Sequence, residues 1–213
     1  MTTPTTRAAA SEARRERILE AALSLFSRFG LRGARLDRIA ETAGVSKSNL
    51  LYHFASKQAL YIAVLQALLE SWLEPMRAFR EDQDPAEAIS GYIRTKLELS
   101  RDCAEASRLF CLEMVQGAPL LKQTLDRELR ALVEEKTEVI RSWVARGALI
   151  EVDPHHLIYL LWGATQHYAD FAVQVEALSG RTLADPAFLE ETAASIEHIV
   201  LRGVLPGGAG ERG

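Results

Sequence analysis

Cysteine is scarce in this chain: Cys103 and Cys111 are the only two among 213 residues. Two are too few for a disulfide framework, and their spacing fits no zinc motif. On one helix they would stand ~12 Å apart along the axis, beyond disulfide reach. A reducing, cytoplasmic setting is therefore the expectation. Long apolar runs are also missing. No stretch approaches the ~20 residues that a membrane-spanning helix needs. The N-terminal MTTPTTRAAASEARRERILE has no apolar segment of the kind a secretory signal carries. No segment alternates apolar and polar residues with β-branched enrichment, so no strand is expected. There is no glycine-rich phosphate loop, and no motif sets a Ser, Cys or Thr nucleophile beside a base. Non-enzymatic function without a cofactor is the expectation. His155 and His156 lie beside Glu151 and Asp153, but adjacent helical residues point ~100° apart and do not easily chelate one ion. No metal is expected.

What the chain does have is an ordinary globular composition, 48% hydrophobic and 25% charged. Its net charge of −4 hides an asymmetry. Residues 1–57 hold ten Lys/Arg and five Asp/Glu, and the remainder holds fifteen and twenty-four. A basic first quarter on an acidic remainder suggests a nucleic-acid-facing module joined to something else.

The periodicity is helical throughout. Ile18, Leu19, Ala22, Leu25, Phe26 and Phe29 share one face of a helix over 11–29, with Gly30 as its stop. Asp84-Pro85, Asp153-Pro154 and Asp185-Pro186 each read as an acidic cap followed by proline at the first helical position. About nine helices follow: 11–29, 36–43, 47–53, 56–79, 85–101, 104–116, 119–146, 154–178 and 186–203. The fold class is all-α. A loose arm is expected over 1–10, a DNA-binding domain over 11–57, a larger helical domain over 58–205, and a frayed tail over 206–213.

Residues 35–54 have the layout of a helix-turn-helix. Ala40 supplies the small residue that lets the two helices approach. Gly44 supplies the left-handed turn residue, and Ser46 can cap the second helix. Val45 and Leu50 can plug the space between the helices. The second helix then turns Lys47, Ser48, Asn49, Tyr52 and His53 outward, a set suited to phosphates and major-groove base edges. Arg35 stands at the entry to the first helix. Lys57, at the start of the following helix, can reach a phosphate. The alternative is a packed helical hairpin with a solvated polar face.

The phrase IAETAGVSKSNLLYHFASK, residues 39–57, resembles the DNA-binding domain of the TetR family of transcriptional regulators. That resemblance implies an all-helical homodimer that binds palindromic operator DNA, joined through helices 154–178 and 186–203, with a C-terminal effector domain. Farther along, residues 52–65, SRLFCLEM at 107–114, GAPLL at 117–121 and WGATQHYADF at 162–171 are similar to the branch of the family that governs pyrimidine utilisation. The implied effector is uracil or thymine, and its binding would release the DNA.

A pyrimidine needs an apolar or aromatic slot and a few fixed hydrogen-bond partners. A side-chain amide is a natural partner, since it can accept from a ring N–H and donate to the adjacent carbonyl. Trp162 and Gln166 are four apart and share a helical face. Trp72, Phe79, Phe110 and Met114 are candidates for completing the slot. Each also has a bland reading as core. His167 and Asp170 read more naturally as an ion pair at a dimer interface. Two other readings stay open: the same architecture sensing a different small molecule, and an enzyme acting on a pyrimidine-like substrate.

Overall fold

The structure is a computed structural model and describes residues 6–207. All regular structure among them is helical: α1 (Thr6–Gly33), α2 (Leu36–Thr42), α3 (Lys47–His53), α4 (Lys57–Arg77), α5 (Pro85–Asp102), α6 (Ala104–Val115), α7 (Lys122–Thr124), α8 (Arg130–Ala145), α9 (Pro154–Asp170), α10 (Ala172–Ser179) and α11 (Pro186–Val204). A π-helical turn, Leu125–Leu129, joins α7 to α8. The helices form two compact units. One comprises the chain through Leu69 together with Arg108–Lys122, and the other comprises Glu70–Ser107 and the chain from Gln123 onward.

In the first unit α1 packs on α2 and α2 on α3. Ile18, Ala22 and Phe26 of α1 are fully withdrawn from water, as are Ile39 of α2 and Leu50 of α3. The Phe26 ring meets Tyr61 of α4 edge-on at 5.0 Å. Burying side chains of this size stabilises by roughly 1.5–3 kcal/mol each. The expected turn is present: Gly44 has φ +65°, and Ser46 Oγ accepts the Asn49 N–H at 3.2 Å. Ser56 Oγ accepts from the Ala59 N–H at 3.0 Å and so caps α4.

In the second unit α5 packs against both α9 and α11, with α8 and α10 also on α9. The core gathers Met76, Phe79, Ile93, Leu97, Trp143 and Ile158 with their neighbours. The three Asp-Pro starts all form. Asp84, Asp153 and Asp185 each accept two backbone N–H groups, at 2.7 and 3.1 Å, 2.8 and 3.1 Å, and 2.9 and 3.4 Å. Arg94 of α5 grips Glu190 and Glu197 of α11 at 2.8 and 2.7 Å.

Three boundaries differ from expectation. The supposed arm is helical from Thr6, and residues 1–5 lie outside the described residues. The helix expected over 119–146 begins only at Lys122, after a turn that runs through Leu121, and the π-helical turn at Leu125–Leu129 interrupts it before α8. The helix expected over 154–178 breaks at Phe171, whose backbone (φ −117°, ψ 32°) is not helical. No glycine or proline stands there, so periodicity alone cannot mark the break. Of the expected tail, Pro206 and Gly207 form a turn and 208–213 lie outside the described residues.

Gly44→Ala isolates the backbone cost of the turn, because a Cβ there meets nothing within 4 Å. The left-handed conformation should cost the variant ~1–2 kcal/mol. Chemical denaturation of the two proteins side by side checks this.

Candidate functional site

The outer face of the first unit is built around α3. Leu50 anchors it, fully buried, while Lys47, Ser48 and Tyr52 are exposed and Asn49 and His53 are half-buried. Tyr52 stands out, 82% exposed with its ring edge-on to His53. Lys47 pairs with Asp37 of α2 at 3.0 Å, and this bond is the largest cause of the lowered Asp37 pKa. A phosphate would compete for that ammonium. Ser48 shares a hydroxyl contact of 3.0 Å with Ser46. The Asn49 amide oxygen points inward and has no partner among the described residues, so this side chain is less outward than its position suggested. Arg35 forms the entry to α2, its backbone extended. Lys57 donates to the carbonyls of Arg32 and Ala34 at 3.2 and 3.0 Å. Two of its three N–H bonds therefore tie the start of α4 to the end of α1, and one remains.

The same unit holds a cavity of about 620 Å³ lined by Phe29, Tyr61, Leu109, Leu112 and Glu113, among others. Glu113 is buried and accepts from the Tyr61 hydroxyl at 3.4 Å and the Leu120 N–H at 2.8 Å. Burial, with the Glu113 charge beside it, pushes the Tyr61 hydroxyl up to about 12. Phe110 and Met114, two of the candidate effector residues, lie on α6 in this unit and are half-buried.

The other four candidates belong to the second unit. Phe79 is core: it packs against Tyr92 at 5.5 Å and Trp143 at 5.4 Å, and it also borders a cavity of about 260 Å³ with Tyr92 and Thr95. Trp162 is half-buried on α9, lies against the core, and approaches the Tyr92 hydroxyl, which has no fully formed hydrogen bond. Gln166, one turn on, is half-buried. Trp72 is buried on α4. His167 and Asp170, expected as an ion pair at a dimer interface, have other neighbours within the chain. His167 stacks on Phe171 at 5.0 Å, while the Asp170 carboxylate accepts a short hydrogen bond from Ser107.

One residue that the sequence reading passed over now joins this set. Lys96 of α5 is 3% exposed, and its ammonium lies 5.1 Å from the centre of the Trp72 ring. Burial pushes its pKa down to about 8, against the pull of Asp170. One turn along α5, Ser100 donates to the Thr165 carbonyl at 3.1 Å, fixing this part of α5 against the stretch of α9 that carries Gln166. The signal was readable. Ile89, Tyr92, Ile93, Lys96, Leu97 and Ser100 form one stripe at helical spacing, and a lysine inside such a stripe is the anomaly.

Comparison with known proteins agrees with this arrangement. The description "Bacterial regulatory proteins, tetR family" matches residues 18–64, and "YcdC-like protein, C-terminal region" matches 65–207. The chain is 54% identical over 200 residues, 94% of each chain, to the HTH-type transcriptional regulator RutR of Escherichia coli. The chain belongs to the TetR family. It is a transcriptional regulator, as RutR is, and regulators of the TetR family bind operator DNA, typically as dimers. A more distant TetR-type relative is the HTH-type transcriptional repressor NicS of Pseudomonas putida, 33% identical over 66% of each chain. Among solved structures, a transcriptional regulator from Streptomyces coelicolor superposes with a TM-score of 0.67 at 26% identity, covering 87% of this chain and 97% of that one. Among the described residues no helix is long and apolar enough to cross a membrane, and no group of three or more His, Cys, Asp or Glu is placed to hold a metal ion.

Lys96 carries a stability prediction. A buried charge replaced by an apolar side chain of similar length commonly leaves a protein as stable or more so, by ~1–4 kcal/mol. Lys96→Met should therefore melt at or above the wild-type temperature near pH 7. The sign follows from linkage. With the folded pKa depressed to about 8 from 10.5, the unfolded chain binds more protons between those values, so wild-type stability gains with rising pH. The advantage of Lys96→Met should shrink across that window, which thermal melts at stepped pH will read.

Proposed function

We propose that this TetR-family regulator acts as a homodimeric repressor whose α3 helices enter successive major grooves of a palindromic operator, and that uracil or thymine, bound in the second unit, releases it. The observation that carries the DNA reading is the division of α3 into two faces. Leu50 holds one face in the core, and Lys47, Ser48 and Tyr52 present the other to water. Lys47, Arg35 and the remaining donor of Lys57 supply phosphate contacts. Ser48, Tyr52, Asn49 and His53 supply the contacts nearer the bases.

The effector reading rests on the half-buried Gln166 and Trp162, four apart on α9, and on the branch of the family that the sequence resembles. Gln166 meets the imide edge of the base, and Trp162 and Trp72 provide ring surface. Helix α4 links the two ends of the mechanism. It carries Lys57 in its first turn and Trp72 fifteen residues later, ~22 Å along the axis. An effector that prefers one position of this helix changes the separation of the two readers, and it releases DNA by the difference in its affinity for the two states.

The dimer reading rests on α9, α10 and α11. Tyr159, Leu160, Phe171, Val173, Leu178 and Ile199 are all exposed there. Exposed apolar side chains on these helices are suited to an interaction site, and a self-complementary one forms a two-fold dimer.

Calorimetry and a DNA mobility shift on fragments from pyrimidine-utilisation promoters test the whole. Uracil or thymine should give binding heat and should free the fragment. Lack of heat at millimolar base, with DNA binding intact, would assign the protein a different effector. Gln166→Ala should weaken the base about tenfold and leave DNA affinity nearly unchanged. Tyr52→Ala with Lys47→Ala should do the opposite, weakening DNA at least tenfold and flattening its salt dependence by about one phosphate contact per reader. Leu160→Glu with Ile199→Glu should yield a folded monomer by light scattering that no longer shifts DNA.

A further inference from the structure

The first unit buries one negative charge. Among the described residues Glu113 of α6 is the one acidic side chain withdrawn from water, at 3% exposure. Its two oxygens accept one bond each. The Leu120 N–H donates at 2.8 Å, and the Tyr61 hydroxyl donates at 3.4 Å, a weak bond against the ~2.7–2.8 Å usual between oxygens. Both donors are neutral. Tyr61 stays so, because burial and the Glu113 charge push its hydroxyl up to about 12. No Lys, Arg or His pairs with Glu113 among the described residues. Lys136, buried in the second unit, shows the ordinary solution: its ammonium meets the Glu135 carboxylate at 2.7 Å. Buried charges are as a rule compensated in that way. A carboxylate has about four acceptor positions, and Glu113 uses two.

Glu113 also lines the cavity of about 620 Å³ in the same unit. That volume falls within the ~300–1,000 Å³ of small-molecule sites. Its other walls are mainly apolar and aromatic, with Phe29 from α1, Tyr61 from α4, and Leu109 and Leu112 from α6. Phe29 and Leu112 are 58% and 54% exposed, so they set apolar surface in water beside a buried anion. Neither belongs to α3 or to the helices of the dimer reading. No other Asp or Glu, and no His or Cys, lines the cavity, so a metal ion would find a single ligand there. Arg32 is the one cation in the lining. It is exposed, its side chain makes no bond to Glu113, and a charge in water contributes little to such a site.

We propose that this cavity is a small-molecule site of its own, distinct from the effector site above, and that it takes a protonated amine with an aromatic or apolar body. The ammonium donates to Glu113 and supplies the counter-charge that the chain does not. The body lies along Phe29, Leu109 and Leu112. The rings of Phe29 and Tyr61 add the attraction of an aromatic face for a cation. A carboxylate ligand would be repelled by Glu113, and a neutral one would leave the buried charge as it is. The inference is independent of the pyrimidine reading, because the cavity shares no residue with Trp72, Trp162 or Gln166.

Calorimetry of the full-length protein with phenethylamine at about pH 7 tests this. Two controls go beside it: N-acetylphenethylamine, which keeps the ring and loses the charge, and phenylacetate, which reverses the charge. Wild type should bind the amine and hold the other two at least about tenfold more weakly. Glu113→Gln keeps the shape and an acceptor for the Leu120 N–H, and it should weaken the amine about ten- to hundred-fold, the worth of a charge-assisted hydrogen bond. Phe29→Ala, at an exposed position, should weaken it about two- to fivefold. Gln166→Ala should leave amine binding as in wild type. Thermal melts establish that the variants fold. Should Glu113→Gln not fold, the neutral control and Phe29→Ala carry the test. Equal binding of the amine and its neutral analogue reduces the cavity to an apolar cleft and overturns the proposal. Equal binding to wild type and folded Glu113→Gln does the same, as does absence of heat with wild type at millimolar amine. Amine binding lost in Gln166→Ala and kept in Glu113→Gln would move the amine to the effector site and overturn the assignment.

Discussion

Helix α5 has to satisfy two neighbours at once, and the architecture of the second unit follows from that. With α9 on one flank and α11 on the other, a wide arc of α5 is withdrawn from water. Ile89, Tyr92, Ile93 and Leu97 occupy most of that arc and are almost completely buried. At roughly 1.5–3 kcal/mol for each such side chain, they outweigh the several kcal/mol that one unpaired ion costs after relaxation. The unit can therefore hold Lys96 on the same arc and stay folded. The Arg94 grip on Glu190 and Glu197 at the partly exposed edge adds orientation more than energy, since half-exposed pairs contribute little.

The first unit solves a different problem with fewer residues. Its helices α2 and α3 have seven residues each, too short to be stable alone. They persist because each gives up one face completely, Ile39 and Ala40 from α2 and Leu50 from α3. Gly44 turns the chain between them, and Lys57 stitches α4 to the carbonyls that close α1. Unlike Lys96, Lys57 has acceptors and is partly in water. The same residue type serves as a stitch in one unit and stands as an uncompensated charge in the other.

Much of this was legible in the residues. Each Asp-Pro pair marks a helix start because the carboxylate and the missing proline N–H act on the same orphan donors, a local matter that no tertiary contact overrides. The turn at Gly44 and the cap at Ser46 are equally local. The gap between the helices at 117–118 was legible from Gly117 and Pro119, but the left-handed backbone of Ala118 and the break at Phe171 were not. A left-handed alanine and a one-residue interruption between two helices reflect what the surrounding chain demands, and neither residue type announces it. Lys96 stood in plain view within an apolar stripe but offered no motif, and its significance depends on the absence of a partner in three dimensions. Gln166 and Trp162 were legible as a pair on one face of α9. The hydrogen bond from Ser107 to Asp170, 63 positions apart, is a long-range contact that no local pattern announces.

The two faces of α3 meet at Asn49, which is half-buried. Leu50 is the one fully buried side chain of α3, Asn49 and His53 are half-buried, Lys47 is paired with Asp37 of α2, and Ser48 and Tyr52 bear almost no packing. Substitutions on the outward face can accordingly accumulate without eroding the fold. The surface that Ser48 and Tyr52 present can then vary widely while the scaffold beneath it stays as it was.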